Sequence, residues 1–207
     1  MYTVENKDDE RLLWSRFLKG DTQVLSLIYL QHSNALFDYG CRFAVDKDMV
    51  KDSIQEVFCT LIKSHKHLGE TDNVRLYLLK SLKRRIIREI KKNRKQPGLL
   101  SDEDFQFDLR WSENLDDQMN ELNEDKRELV FRAMEELTER QKEAIYLRYN
   151  RGLEYEEISF MLNINYQSSR ALIHRAIEKL REIIHIPDKK ISQILLSIFR
   201  FGHKGVF

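Results

Sequence analysis

Glycine and proline are scarce in this sequence, which has 7 Gly and 2 Pro among 207 residues. Both residues interrupt helices and mark turns, so their scarcity favours long uninterrupted helices. Apolar residues recur at three- and four-residue spacings, which is the period of one face of a helix. We therefore predict an all-α fold, and the length suits two small domains better than one.

Long apolar runs are also missing. No stretch approaches the roughly 18 uncharged residues that a membrane span needs. The start of the chain, MYTVENKDDERLLW, is acidic where a secretory signal would be basic and then apolar. We expect a cytoplasmic protein.

The residues that usually build metal centres and active sites are absent or badly spaced. Cys41 and Cys59 stand apart, with no CxxC pair or histidine at ligand spacing, so we expect two reduced thiols and no disulfide. His65 and His67 alternate in a loop without a carboxylate pair, which predicts no metal site. No nucleophile–base pair, phosphate-binding glycine loop or carboxylate dyad is present. The sequence thus predicts no enzyme, no cofactor and no small-molecule substrate.

Charge is what the chain has in abundance, and it is segregated. The net charge is only +1, yet residues 75–95 contain ten Lys or Arg and the single Glu89. Residues 101–125 contain ten Asp or Glu and the single Arg110. A basic helix is therefore followed by an acidic segment. This segment contains more large apolar and aromatic residues than a solvated linker usually has, namely Phe105, Phe107, Leu109 and Trp111. We nevertheless expect this linker to be flexible in the isolated protein.

A few residues that commonly cap or end helices mark the predicted helix boundaries. Gly20 ends the first helix, Asp21 is expected to cap the second, and Thr138 with Gln141 forms a capping-box pattern. The predicted helices cover about 9–19, 22–43, 48–64, 74–93, 125–137, 139–149, 155–162 and 166–184, and a short apolar helix follows Pro187.

The helix at 48–64 has two clear faces. Its apolar face comprises Val50, Ile54, Val57, Phe58, Leu61 and Ile62. Its polar face presents Asp52, Gln55, Glu56 and Lys63.

The basic helix at 74–93 is amphipathic. One side carries Leu78, Leu79, Leu82, Ile86 and Ile90, and the other carries Lys80, Lys83, Arg84, Arg88, Lys91, Lys92 and Lys95. Such a charge run is usually a solvated surface, but the mutual repulsion of so many cations favours a polyanionic partner instead. Tyr77 on this helix is more typical of a core residue than of a base-stacking one.

The pair of helices at 155–162 and 166–184, joined by the turn 163–165, predicts a helix-turn-helix. A helical pair in any bundle gives a similar pattern, so this motif alone is moderate evidence. We expect Leu172, Ala176, Ile177, Leu180, Ile183 and Ile184 to face the core. Gln167, Ser168, Ala171, His174 and Arg175 then face outward with chemistries suited to base edges and phosphates.

Three segments together resemble the sigma-70 family, in its extracytoplasmic-function group. They are DSIQEVFCTLIKS at 52–64, VRLYLLKSLKRRIIREIKK at 74–92 and LTERQKEAIYLRYNRGLEYEEISFMLNINYQSSRALIHRAIEKLR at 137–181. The resemblance implies a region 2 domain at 21–96, with residues 1–20 as its N-terminal helix, and a region 4 domain at 126–185. It also implies an acidic linker at 97–125 and leaves a C-terminal tail at 186–207.

The resemblance implies roles for three groups of residues, which keep the following names below. The docking face, for the clamp helices of the β and β′ subunits of RNA polymerase core, is Asp52, Gln55 and Glu56. The minus-ten residues, for promoter DNA, are Asn73, Lys80, Lys83, Arg84 and Arg88. The reading residues, for the minus-thirty-five element, are Gln167, Ser168, Arg170, Ala171, His174 and Arg175. An anti-sigma factor is implied as a further partner.

Four residues depart from the family pattern. Asn163 replaces the usual turn glycine, Ser169 an apolar packing residue, Leu172 a common arginine, and Arg84 a frequent asparagine. Two other functions stay open at this point. A conventional dimeric helix-turn-helix regulator would bind duplex operators without polymerase. A nucleic-acid-processing enzyme would need a catalytic group that the sequence does not offer.

Overall fold

The computed structural model describes residues 7–93, 105–109 and 124–184. The chain divides into two compact units, residues 1–104 and residues 105–207. All regular structure in the described residues is helical, as the composition predicts. None of these helices is long and apolar enough to cross a membrane.

The N-terminal unit is a four-helix bundle. Its elements are α1 (Lys7–Leu18), α2 (Val24–Gly40), α3 (Lys47–Ser64), a 3₁₀ turn (His65–His67) and α4 (Val74–Asn93). Helix α2 packs against α1, α3 and α4, and α3 packs against α4. This packing buries one stripe of each helix and leaves the opposite faces of α3 and α4 in solvent.

Local side-chain bonds determine where these helices begin. Asp46 accepts hydrogen bonds from the backbone N–H groups of Asp48 and Met49, and so caps α3. The prediction that Asp21 caps α2 is wrong, because its carboxylate instead accepts from Arg16 Nη2 at 2.6 Å. Gly20 does end α1, with a φ of +101° that favours glycine.

The core of this unit follows the predicted faces, except that Ile62 of α3 is exposed and Ile90 of α4 is only partly buried. Val50, Ile54 and Leu61 of α3 are buried, whereas Ile62, which was assigned to the same face, is 47% exposed. Gly40 lets α2 approach closely, since a Cβ atom there would lie 2.6 Å from Val50 Cγ1 and 3.0 Å from Ile86 Cδ1. The close approach leaves no room for a larger side chain at this position.

The C-terminal unit contains four further α-helices. They are α5 (Glu124–Glu135), α6 (Glu139–Ile145), which continues into a π-helical turn (Tyr146–Asn150), α7 (Tyr155–Leu162) and α8 (Tyr166–Ile184). The predicted capping box is present, because Thr138 Oγ1 accepts from Gln141 N and Gln141 Oε1 accepts from Thr138 N. The predicted tail helix after Pro187 lies outside the described residues.

Helix α8 packs on α5, α6 and α7 through a row that agrees only in part with the predicted one. Ala176, Leu180 and Ile184 are buried as predicted. Ser169 and Ile173 are buried but were not predicted, whereas the predicted Leu172, Ile177 and Ile183 are only partly covered.

Five residues of the predicted linker, 105–109, lie against the C-terminal unit. Phe105, Phe107 and Leu109 are buried, while Gln106 and Asp108 are exposed. This alternation is the period of an extended segment with one face on a surface. Burial of three apolar side chains contributes about 5–9 kcal/mol, and fixing five residues costs about 5–10 kcal/mol. The attachment is therefore close to balance, unlike that of a core helix.

Candidate nucleic-acid interface

The minus-ten cations lie in one row along the solvent side of α4. Arg84 and Arg88 are exposed, and Lys80 and Lys83 are half-buried. Partial burial, together with the nearby charges of Arg84 and Lys83, lowers the pKa of Lys80 from its ordinary value of 10.5. Lys83 Nζ lies 5.8 Å from the centroid of the Phe43 ring. The row is thus a set of cations that repel one another, and an anionic partner would relieve the repulsion.

Arg85 is one of the cations of the basic helix, but its side chain points towards α3 and not along the row of minus-ten cations. Its Nη2 lies 2.9 Å from Glu89 Oε1, and its Nη1 lies 4.0 Å from Glu56 Oε1. Arg85 therefore links α4 to α3, and its charge is largely neutralised within the bundle. Sequence spacing alone could not separate Arg85 from the residues of the basic row.

The loop before α4 is fixed to α1, which the sequence analysis did not foresee. Trp14 Nε1 donates to Gly69 O at 3.1 Å, and Arg11 Nη2 lies 3.2 Å from Asp72 Oδ1. The Trp14 and Tyr77 rings pack with their centroids 5.4 Å apart, so Tyr77 has the packing role expected of it. These contacts hold the loop in a defined position at the start of the basic row.

Asn73 has a structural role in this loop. Its Oδ1 accepts a hydrogen bond from Leu76 N at 2.9 Å, and its own N–H donates to Thr71 Oγ1 at 3.2 Å. The side chain thereby caps α4. An oxygen already used as a cap is less available to a base, so Asn73 is a weaker candidate for a DNA contact than the four cations.

The docking face occupies the outer side of α3. Asp52 and Gln55 are exposed, and Glu56 is half-buried beside Arg85. Cys59 follows on the same side of the helix and is an exposed free thiol, whereas Cys41 is buried. The surface is polar and open to a partner.

The helix-turn-helix is formed by α7, the turn 163–165 and α8. Asn163 adopts a left-handed conformation with a φ of +53°, which asparagine tolerates better than most residues. Asn165 Oδ1 then accepts from Ser168 N at 2.8 Å at the start of α8. Ser169 Oγ lies within hydrogen-bond distance of both Tyr155 O and Tyr166 O. These bonds attach the first turn of α8 to the start of α7.

The reading residues cluster at the N-terminal end of α8. Gln167, Arg170, Ala171, His174 and Arg175 are exposed, and Ser168 is half-buried. All except Ser168 line an open groove of 480 Å³, together with Tyr155. His174 Nδ1 lies 3.2 Å from Glu178 Oε2. The groove offers amide and guanidinium donors of the kind that read base edges.

Two tyrosines that the sequence analysis did not single out support Arg170. Its guanidinium lies 6.0 Å from the Tyr155 ring centroid and 5.8 Å from the Tyr166 ring centroid. Arg148 lies on the Tyr155 ring at 4.8 Å, and its Nη1 donates to Leu153 O at 2.8 Å. The sequence indicated this support of Arg170 only in that each helix of the motif begins with a tyrosine.

Comparison with known families decides what the C-terminal unit is. Residues 127–180 match the family model described as sigma-70, region 4. The C-terminal unit therefore contains a sigma-70 region 4 domain. This match confirms, for the C-terminal unit, the sigma-70 resemblance stated from the sequence.

Solved structures with a similar fold cover both units of the chain. CnrH, in its complex with the cytosolic domain of CnrY, is 16% identical, with a TM-score of 0.58 over 87% of this chain and 98% of that one. The sigma factor RpoE of Bartonella quintana, in complex with the anti-sigma factor NepR, is 16% identical, with a TM-score of 0.54 over 78% and 97%. No curated protein matches the chain. The all-α prediction is confirmed, because these structures share the fold.

Proposed function

We propose that this sigma factor brings RNA polymerase core to a particular set of promoters and assists strand opening there. The observation that carries the proposal is the presence in one chain of two different surfaces suited to nucleic acid. One is a dense cation row on α4, and the other is the groove of a sigma-70 region 4 helix-turn-helix. A conventional regulator has no need of the first surface.

The N-terminal unit would serve as region 2. The polar docking face on α3 would bind the clamp helices of the β and β′ subunits. Lys80, Lys83, Arg84 and Arg88 would contact the backbone of the unpaired strand at the minus-ten element, because phosphate contacts supply affinity without base specificity. The loop before α4, which is attached to α1, would hold an extruded base of the same strand.

The C-terminal unit would serve as region 4 and read the minus-thirty-five element. Gln167 is suited to adenine and Arg175 to guanine, and Ser168 to a base or a phosphate. Arg170 is supported by the Tyr155 and Tyr166 rings, which restrict the directions its guanidinium can take. The tyrosines therefore orient a reading residue without needing to contact DNA themselves.

The remaining expectations follow from this function. A subunit that works on polymerase and promoter DNA would reside in the cytoplasm and would need no catalysis, cofactor or small-molecule substrate. Since CnrH was solved with the cytosolic domain of CnrY and RpoE with the anti-sigma factor NepR, an anti-sigma factor is a plausible regulatory partner here also.

Selection of DNA from a random library would test the proposal. Mixed with core polymerase, the chain should enrich DNA with two separated conserved blocks, whereas alone it should enrich weakly. Replacing Asp52 and Gln55 by Lys should abolish enrichment, because reversed charge opposes docking, while Lys51→Gln, an exposed change on the same helix, should leave it intact. A palindrome enriched by the free chain would instead favour the dimeric regulator.

A further inference from the structure

The segment 105–109 has the features of a ligand rather than those of a linker. Its buried side chains alternate with exposed ones, and Phe107 is the most enclosed, at 1% exposure. The Phe107 ring meets the Tyr146 ring edge-on, with centroids 5.6 Å apart. Its backbone N–H donates to the Glu139 carboxylate. Apolar contact and a charge-assisted hydrogen bond therefore act together on one residue.

The surface that holds the segment is distinct from the reading groove. Glu139 begins α6 and Tyr146 opens the π-helical turn, whereas the groove is built on α8 and Tyr155. Gln167, Arg170 and Arg175 stay exposed while the segment is docked. Docking of residues 105–109 thus leaves the reading residues accessible.

Docking changes the length of chain that joins the two units. With 105–109 attached to the C-terminal unit, residues 94–104 alone connect it to the end of α4. An extended chain over these twelve Cα steps spans at most about 43 Å. With 105–109 detached, residues 94–123 form the connection, and thirty-one steps span at most about 110 Å.

We propose that residues 105–109 are a releasable clasp, a segment of this chain that docks on the α6 surface and shortens the tether between the two units. The near balance between apolar burial and ordering, noted above, is what makes the attachment releasable. When the clasp is docked, the shorter tether limits how far the two units can separate. When the clasp is released, the maximum length of the tether more than doubles. An effect of the clasp on the spacing between the minus-ten and minus-thirty-five elements would rest on the proposed function. The docking and release of residues 105–109 do not rest on it.

Distances measured in the free, full-length chain test the clasp without polymerase or DNA. Spin labels would be attached to the exposed Cys59 and to a cysteine introduced by Glu182→Cys at an exposed position of α8. Phe107→Ser should shift the distance distribution to longer distances by about 10 Å, because the r.m.s. span of a chain grows with the square root of its number of residues. The matched control Gln106→Ser changes an exposed residue of the same segment and should leave the distribution unchanged.

Hydrogen exchange provides the second readout. In the unmodified chain the Phe107 amide should exchange at least about tenfold more slowly than an unprotected amide, and Phe107→Ser should abolish this protection while α8 stays protected. If Phe107→Ser unfolds α8, the same hydrogen-exchange and distance measurements on Leu109→Ser would test the clasp instead.

Four results would overturn the proposal. The first is an unprotected Phe107 amide, and the second is identical distance distributions in all variants. The third is loss of α8 protection in both serine variants, which would make the segment a permanent part of the core. A distribution that changes when labelled chains are diluted with unlabelled ones would also overturn it, because the segment would then dock on a second copy.

Discussion

The two helices that we propose to contact DNA differ in their chemistry. Helix α4 carries closely spaced lysines and arginines, and partial burial together with the neighbouring charges lowers the pKa of Lys80. Helix α8 carries separated groups of several kinds, with Arg170 supported by two aromatic rings. The first arrangement is suited to phosphates at any sequence, and the second to particular base edges. In the proposed function, affinity for DNA and sequence specificity are therefore divided between the two units.

The largest expected effect is on salt dependence. Replacing Lys80, Lys83, Arg84 and Arg88 together by Gln should reduce the slope of log affinity against log salt by roughly three for single-stranded DNA, since each phosphate contact contributes about 0.7. Titration of the full chain with a labelled oligonucleotide at several salt concentrations measures the slope. The control Lys51→Gln with Lys63→Gln removes two exposed cations of α3 and should change little. Equal slopes for all chains would mean that the α4 row does not bind phosphates.

A substitution on α8 should have a smaller effect, and the affected quantity should be discrimination between base pairs rather than salt dependence. Gln167→Ala should reduce discrimination at one base pair by about 1–3 kcal/mol, without a comparable change in salt slope. Competition between promoter variants in the presence of core polymerase measures the discrimination, with Glu182→Gln as the exposed control on the same helix. If Gln167→Ala instead weakened binding uniformly at every sequence, Gln167 would be a backbone contact.

The turn between α7 and α8 should show an effect of about 1 kcal/mol. Asn163→Ala should lower the free energy of unfolding by about that amount, because alanine is strained at a positive φ. Asn163→Gly is the matched variant and should be neutral or stabilising, as glycine tolerates this conformation. Urea unfolding of the full chain followed by helical signal would compare the three proteins. A loss of stability in Asn163→Gly comparable to that in Asn163→Ala would show that the asparagine side chain matters more than its backbone.

The smallest effect concerns Lys80 and pH. Its pKa is lowered in the folded protein, so the unfolded chain binds more protons between that lowered value and 10.5. Stability contributed by this residue should therefore rise with pH across that window. Lys80→Met should lack the rise, which the difference in unfolding free energy between the two proteins would reveal. A difference that falls as pH increases would contradict the assigned direction.

Helix positions could be predicted from the sequence because apolar period and caps are local signals. Helices α4, α7 and α8 have the predicted bounds, and the Thr138–Gln141 box is present. The prediction for Asp21 is wrong because Arg16, five residues earlier in the chain, competes for its carboxylate. The buried row of α8 was predicted only in part, and Ser169 was missed because it enters the core through hydrogen bonds rather than apolar surface.

The candidate site was predictable in composition but not in arrangement. The cations of α4 and the reading residues of α8 other than Arg170 could be named from charge and spacing, whereas Arg170 was implied only by the family resemblance. That Arg85 faces Glu89 and Glu56, and that Trp14 holds the loop at Gly69, depends on contacts between distant segments. The docking of residues 105–109 likewise depends on a surface built by α6 and the π-helical turn, which no local pattern encodes.

In-vitro transcription with purified RNA polymerase core is the most direct test of the division of labour. Start sites would be mapped on a promoter library with the unmodified chain, the four-cation α4 variant and Gln167→Ala. We expect the unmodified chain to confer defined start sites on core enzyme. The α4 variant should lose them at all promoters, and Gln167→Ala should redistribute them among promoters. A core enzyme that stays silent with the unmodified chain would contradict the proposed function.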